Sequence, residues 1–173
     1  MPPNPPNPTT RIDNLPGTGY TFDKFKLATL DQNNTAVCVF VASKNDATGT
    51  LIDRKILLSP LANTGPFTDT PAVLNDAFIV FDANVGDLHY LDTFISPVNT
   101  VFCVFCYKNT NDNVDHFVIT RSEGTYGRFI LCNDIPLPAG FKNIEAKMLN
   151  HRIVFVVVDQ GNNIQAIASD AGH

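Results

Sequence analysis

Apolar and polar positions along this chain alternate with a period of two far more often than with a helical period. Phe25-Lys26-Leu27-Ala28-Thr29-Leu30 alternates in this way, the signature of a half-buried strand. Asp31-Gln32-Asn33-Asn34 follows as a turn, because Asn and Asp tolerate left-handed backbone and bond their own main chain. Ala36 to Ala42 is almost uninterruptedly apolar, as a strand covered on both faces must be. Ser43 to Gly49 turns the chain and Thr50 to Leu58 returns it as a third strand. The same order recurs downstream. Asp87 to Ser96, Val101 to Tyr107, His116 to Arg121 and Tyr126 to Cys132 read as strands, separated by turns at Pro97-Val98-Asn99, Lys108 to Asp115 and Ser122 to Thr125. A last group comprises Ile144 to Leu149, Arg152 to Asp159 and Ile164 to Ser169, with Gln160-Gly161-Asn162-Asn163 as its turn.

Two stretches stay open on pattern alone. Phe141, Ile144, Met148 and Leu149 also fall near helical spacing, so a short helix over 141–149 competes with the strand. Val73 to Phe81 reads as a further strand or as the fourth strand of the first group. Ser59 to Pro71, rich in Pro, Gly and Thr, is the longest candidate loop.

An internal echo supports repetition. Asn34-Thr35-Ala36-Val37-Cys38-Val39-Phe40 and Asn99-Thr100-Val101-Phe102-Cys103-Val104-Phe105 agree at five of seven positions, and His151 to Val158 is a fainter third copy. The starts of the three copies lie 65 and 52 residues apart. The expected architecture is an all-β, antiparallel, repeat-derived β-sandwich or barrel-like domain over residues 23–173, with repeats near 24–58, 87–133 and 143–170. The alternative is a set of three β-propeller-like blades completed by other subunits. Groups of three or four antiparallel strands with the second most apolar resemble blades in pattern, yet the spacing exceeds the ~40–50 residues usual for one. No WD dipeptide or kelch double glycine is present.

Residues 1–22 differ in kind. MPPNPPNP fixes backbone angles and removes donors, so this segment reads as an extended arm or a disordered tail. It has neither the basic start nor the apolar core of a signal peptide. No apolar run reaches the ~18–20 residues that span a bilayer. Synthesis in the cytosol, with incorporation into a particle, is the expectation; the compartment itself is not readable.

The 173 residues carry a formal charge of −5, with charged residues at only 17% and twelve Lys and Arg in all. A phosphate-binding surface needs clustered cations, so nucleic acid and anionic membrane are not expected partners. Phe is abundant at 13 and Trp is absent.

The candidate chemistry is sparse. Cys103 and Cys106 form a CxxC, but residues three apart on a strand point to opposite faces and cannot share a metal. Cys38, Cys103, Cys106 and Cys132 are expected to be reduced, mostly buried, small hydrophobes. The loop Asn109 to Asp115 and the segment Asp82 to Asp87 are oxygen-rich enough to suggest calcium, although the first lacks the glycine and glutamate of an EF-hand loop. His89, His116, His151 and His173 lack metal-ligand spacing. Asp115 is placed to orient His116, and His116, Asp115 and Cys106 are the first suspects if the chain is an enzyme. Tyr20, Tyr90, Tyr107 and Tyr126 are the available platforms for a sugar ring. Asn33-Asn34-Thr35 fits a glycosylation sequon. No catalytic, cofactor-binding or metal residue is assigned, and no cofactor is expected.

These observations point to a non-enzymatic structural or assembly subunit, of the kind that builds virions or extracellular appendages. Such a subunit acts through β-rich surfaces and its N-terminal arm, with copies of itself or other protein subunits as partners. The alternatives are a glycan- or peptide-binding module, including an oligomer-completed propeller, and an enzyme of unknown class.

Overall fold

Val101 to Tyr107 presents seven successive buried side chains, and a strand can bury both faces only when each is covered by a separate layer. The computed structural model, which describes residues 19–30, 35–61, 78–81, 85–123, 128–149 and 152–169, supplies those layers. The protein is all-β, with three antiparallel sheets and no helix among the described residues. Sheet 1 runs in the order β1 (Tyr20–Leu30), β2 (Thr35–Asn45), β3 (Leu51–Leu61) and β4 (Phe78–Phe81). Sheet 2 follows as β5 (Val85–Ile95), β6 (Val101–Asn109), β7 (Asp115–Glu123) and β8 (Arg128–Pro136). Sheet 3 is β9 (Asn143–Leu149), β10 (Arg152–Val158) and β11 (Ile164–Ser169), with β10 central.

Sheet 2 is the middle layer. Val101, Cys103, Phe105 and Tyr107 on one face of β6 pack in a core with Val37, Val39, Val41, Ile56 and Leu58 of sheet 1. Phe102, Val104 and Cys106 on the other face join Phe117 and Ile119 against Ile144, Ala146, Ile153, Phe155 and Val157 of sheet 3. The sheets are stacked in one sense: β1 lies against β5, β5 against β9, and β4 against β8. The echoed heptapeptides both lead into the second strand of a four-stranded sheet, β2 and β6.

Several turns are closed by residues that accept left-handed backbone. Asn99, Asn113 and Asn162 have φ of 62°, 59° and 63°, a region that asparagine visits more readily than most side chains. Gly86 meets a different demand. A Cβ there would lie 2.7 Å from the Lys108 carbonyl oxygen, so β5 approaches β6 closely at the irregularity between Val85 and Leu88.

The structure resolves the open stretches. Residues 143–149 form a strand, not a helix, because Ile144, Ala146 and Met148 alternate inward and pair with Val157, Phe155 and Ile153. Of Val73 to Phe81, Phe78–Phe81 is the fourth strand of sheet 1, and residues 73–77 lie outside the described residues, as do 1–18 of the arm expected over 1–22 and 62–71 of the loop expected over 59–71. Residues 20–22 instead open β1 and 59–61 complete β3, each by pairing with β2.

Docking of sheet 3 depends on Phe155, which is fully buried and stacks on Phe117 at 3.9 Å between ring centroids. Phe155→Ala is expected to cost about 3–5 kcal/mol. Ile164→Ala, at an exposed position of the same sheet, is expected to stay within about 0.5 kcal/mol. Urea unfolding of both variants checks this, and equal losses would contradict the packing described.

Candidate functional site

The polar groups with most partners gather along the seam where β1 lies against β5 and β5 against β9. Arg54 on β3 is the main cross-link. Its Nε donates to Ser43 Oγ at 2.9 Å, its Nη1 donates to the Gly86 carbonyl, and Asp23 and Asp87 lie 3.8 and 3.9 Å away. Ser43 Oγ donates in turn to Asp23. Lys24 on β1 donates to the Leu88 carbonyl at 2.7 Å. Sheets 1 and 2 are thereby joined by cations that end on main-chain oxygens, and these side chains line a cleft of about 510 Å³.

A second cleft of about 570 Å³ opens on the other side of His89, lined by Lys24, Tyr90, Asp115, Lys142 and Glu145 among others. His89 Nε2 is 3.0 Å from Asp115 Oδ1, and Lys108 Nζ is 3.7 Å from Asp115 Oδ2. The His89 ring stands edge-on to Phe141 at 5.6 Å. Tyr90 accepts a hydrogen bond from the Ala146 amide at 3.1 Å and donates to Asp92 at 3.1 Å. Burial is the main cause that pushes its phenol well above the ordinary range, so it serves as a neutral tie between sheets 2 and 3.

The suspected enzyme residues do not converge. Asp115 does not orient His116, because neighbours on a strand point to opposite sides. Asp115 faces His89 instead, and His116 Nδ1 and Nε2 lie 2.6 and 3.0 Å from Asp134 and Asp112. Cys106 is fully buried in the core between sheets 2 and 3. Burial, with the Asp115 charge second, pushes its thiol up to about 12. Cys103 faces the opposite core, where burial holds it at about 12 despite a contact with Thr93. All four cysteines are free, and Cys132 is half-buried.

The Asn109 to Asp115 loop spends its oxygens on its own main chain and on His116 and His89. Asn109 Oδ1 accepts from the Asn111 amide and Asp112 Oδ1 from the Val114 amide, both at 2.9 Å. No group of three or more potential ligands converges among the described residues. Asp82, Asn33 and Tyr126 lie outside the described residues, as do His151 and His173. Of the remaining tyrosines, Tyr107 is buried and Tyr20 donates to Asp53 under Lys44. Arg54 carries no signal in the sequence, since its partners come from other strands up to 33 residues away. No helix among the described residues is long and apolar enough to cross a membrane.

Compared with known proteins, the chain matches no family model and no curated protein.

Burial opposes charge on His116, but hydrogen bonds and attraction from Asp134 and Asp112 outweigh it and raise its pKa above the ordinary 6.5. With both ring nitrogens facing carboxylates, only the doubly protonated ring donates to each. A raised folded-state pKa gives stability that is complete below pH 6.5 and lost as pH rises through the folded value. The wild-type urea midpoint should therefore fall across that window more than the midpoint of His116→Gln, and parallel curves would refute the clamp. The thiols give the other test. Reaction needs thiolate and access, so an aromatic disulfide reagent should modify Cys132 ahead of Cys103 and Cys106. The latter two should react only at the rate of unfolding, as peptide mass analysis would show.

Proposed function

We propose that this chain is a non-enzymatic structural subunit that works by associating with copies of itself through its sheet surfaces. The observation that carries this reading is where the large exposed apolar side chains sit. Among the described residues, Phe22, Phe25 and Leu27 on β1 and Ile52 on β3 belong to sheet 1, Leu149 and Ile164 belong to sheet 3, and Val98 and Leu131 belong to sheet 2. Six of these eight are on the two outer layers of the stack, with a cluster on β1, and clustered exposed apolar surface is the mark of an interaction site. The polar groups of the seam favour the same reading, because their hydrogen-bonding capacity is largely spent on holding one sheet to the next. A sugar-binding role draws less support, since Tyr20, Tyr90 and Tyr107 are tied or buried in the architecture. A low charge content of 17% and asparagine-capped turns suit a subunit that packs closely against its neighbours.

Light scattering of the full chain over a hundredfold range of concentration, with and without EDTA, is the direct test. The mass should rise with concentration to a defined multiple of 18.9 kDa and be indifferent to the chelator. A constant monomer mass at every concentration would overturn the proposal.

A further inference from the structure

The three sheets stack with a direction, and each internal interface shows what the free ends lack. In sheet 2, Leu91 pairs across β5 and β6 with Phe105, and Leu91 is 4% exposed because sheet 1 covers it. In sheet 3, Ala146 pairs across β9 and β10 with Phe155, and Ala146 is 1% exposed because sheet 2 covers it. The position that corresponds by register in sheet 1 is Phe25, paired across β1 and β2 with Phe40. Phe25 is 69% exposed. Leu27 and Phe22 continue the same stripe opposite Cys38 and Ala42. The near half of this face, with Phe40 and Leu57, is already buried beside Tyr20, so β1 carries the open part.

The other end is the complement. Val37, Val39 and Val41 of β2 cover sheet 2, and Phe102, Val104 and Cys106 of β6 cover sheet 3. Counted from the same phenylalanine of each strand, the matching residues in β10 are Arg152, Val154 and Val156, and Val158 continues the row. Arg152 is exposed, the three valines are only half-buried, and they pair with exposed Ala168, Ala166 and Ile164 on β11. Among the described residues, one end of the stack thus has no preceding sheet and the other has no following one.

Resting on the self-association proposed above, we infer that the outer face of sheet 3 in one copy docks on the β1 stripe of sheet 1 in the next. The contact is head-to-tail and reproduces the direction of the internal interfaces, so it either closes a ring or propagates. Acidic groups on both faces are matched by neighbouring cations: Glu145 pairs with Lys147 at 3.8 Å on the sheet 3 face that also carries Arg152, and Asp53 pairs with Lys55 at 3.7 Å on the sheet 1 face that also carries Lys44.

The test is complementation. Phe25→Lys with Leu27→Lys disables only the sheet 1 face, and Ile164→Lys with Ala166→Lys disables only the sheet 3 face. Lysines on exposed strand positions should leave the fold intact and block strand-face contact, which far-ultraviolet circular dichroism checks. Each variant alone should be monomeric by light scattering. Their equimolar mixture should form a complex of two chains and stop there, because one intact interface remains. If wild type associates but the sheet 1 variant still does so alone, the contact is symmetric and the head-to-tail inference fails while self-association stands. A mixture that stays monomeric also overturns it. A wild type that never associates overturns both. Should a double variant unfold, Phe25→Lys and Ile164→Lys alone carry the same comparison.

Discussion

The burial of both faces of sheet 2 is the constraint on which the rest of the molecule depends. β6 cannot expose either row of side chains to water, since Val101 to Tyr107 contains no polar residue that could be turned outward. Burying side chains of this size is worth roughly 1.5–3 kcal/mol each, and the period of two divides them between two separate cores. Sheets 1 and 3 are therefore held by opposite faces of the same strand. Loss of either sheet would uncover half of β6.

Apolar faces set the stacking of the layers, but they slide easily, and the seam fixes their register. Arg54 and Lys24 cross from sheet 1 to the Gly86 and Leu88 carbonyls of β5, and Tyr90 crosses from β5 to the Ala146 amide of β9. Each tie uses a main-chain group freed where β5 departs from regular pairing or where β9 leaves an amide unpaired. Gly86 makes the closest of these approaches feasible, because any side chain there would meet the Lys108 carbonyl. Polar side chains at such a site serve position more than chemistry, which is why clefts lined by His, Lys, Asp and Tyr contain no convergent catalytic set among the described residues.

Much of the layer structure was legible in the sequence because it follows from local periodicity. The alternation over 25–30, the apolar run over 101–107 and the separation of Cys103 from Cys106 each depend on one strand's geometry. The segment at 143–149 was ambiguous because Phe141, Ile144 and Met148 satisfy a helical spacing as well as Ile144, Ala146 and Met148 satisfy an extended one. Phe141 proved to precede the strand and to contact His89, which removes the helical pattern. The site was far less legible. Asp112 lies four residues from His116 and was readable as a neighbour, whereas Asp134 reaches it only through the β7–β8 pairing and its shift between Ile119 and Thr120. Arg54 carried no local signal, since its partners sit on β1, β2 and β5.

A stack with direction also separates assembly from aggregation. Faces recognise by the size and spacing of side chains, while open strand edges recruit almost any extended chain through main-chain hydrogen bonds. On β1, Lys24 and Lys26 alternate with the apolar stripe, and Lys24 turns toward sheet 2 to bond the Leu88 carbonyl. The same strand therefore holds its charges on the side that faces its own molecule and its Phe25 and Leu27 on the side that faces out. Over 24–27 that division follows from a period of two. The irregularity between Phe22 and Phe25 restores Phe22 to the outer row, so one extra residue keeps three apolar side chains on one face where a strict alternation would have placed only two.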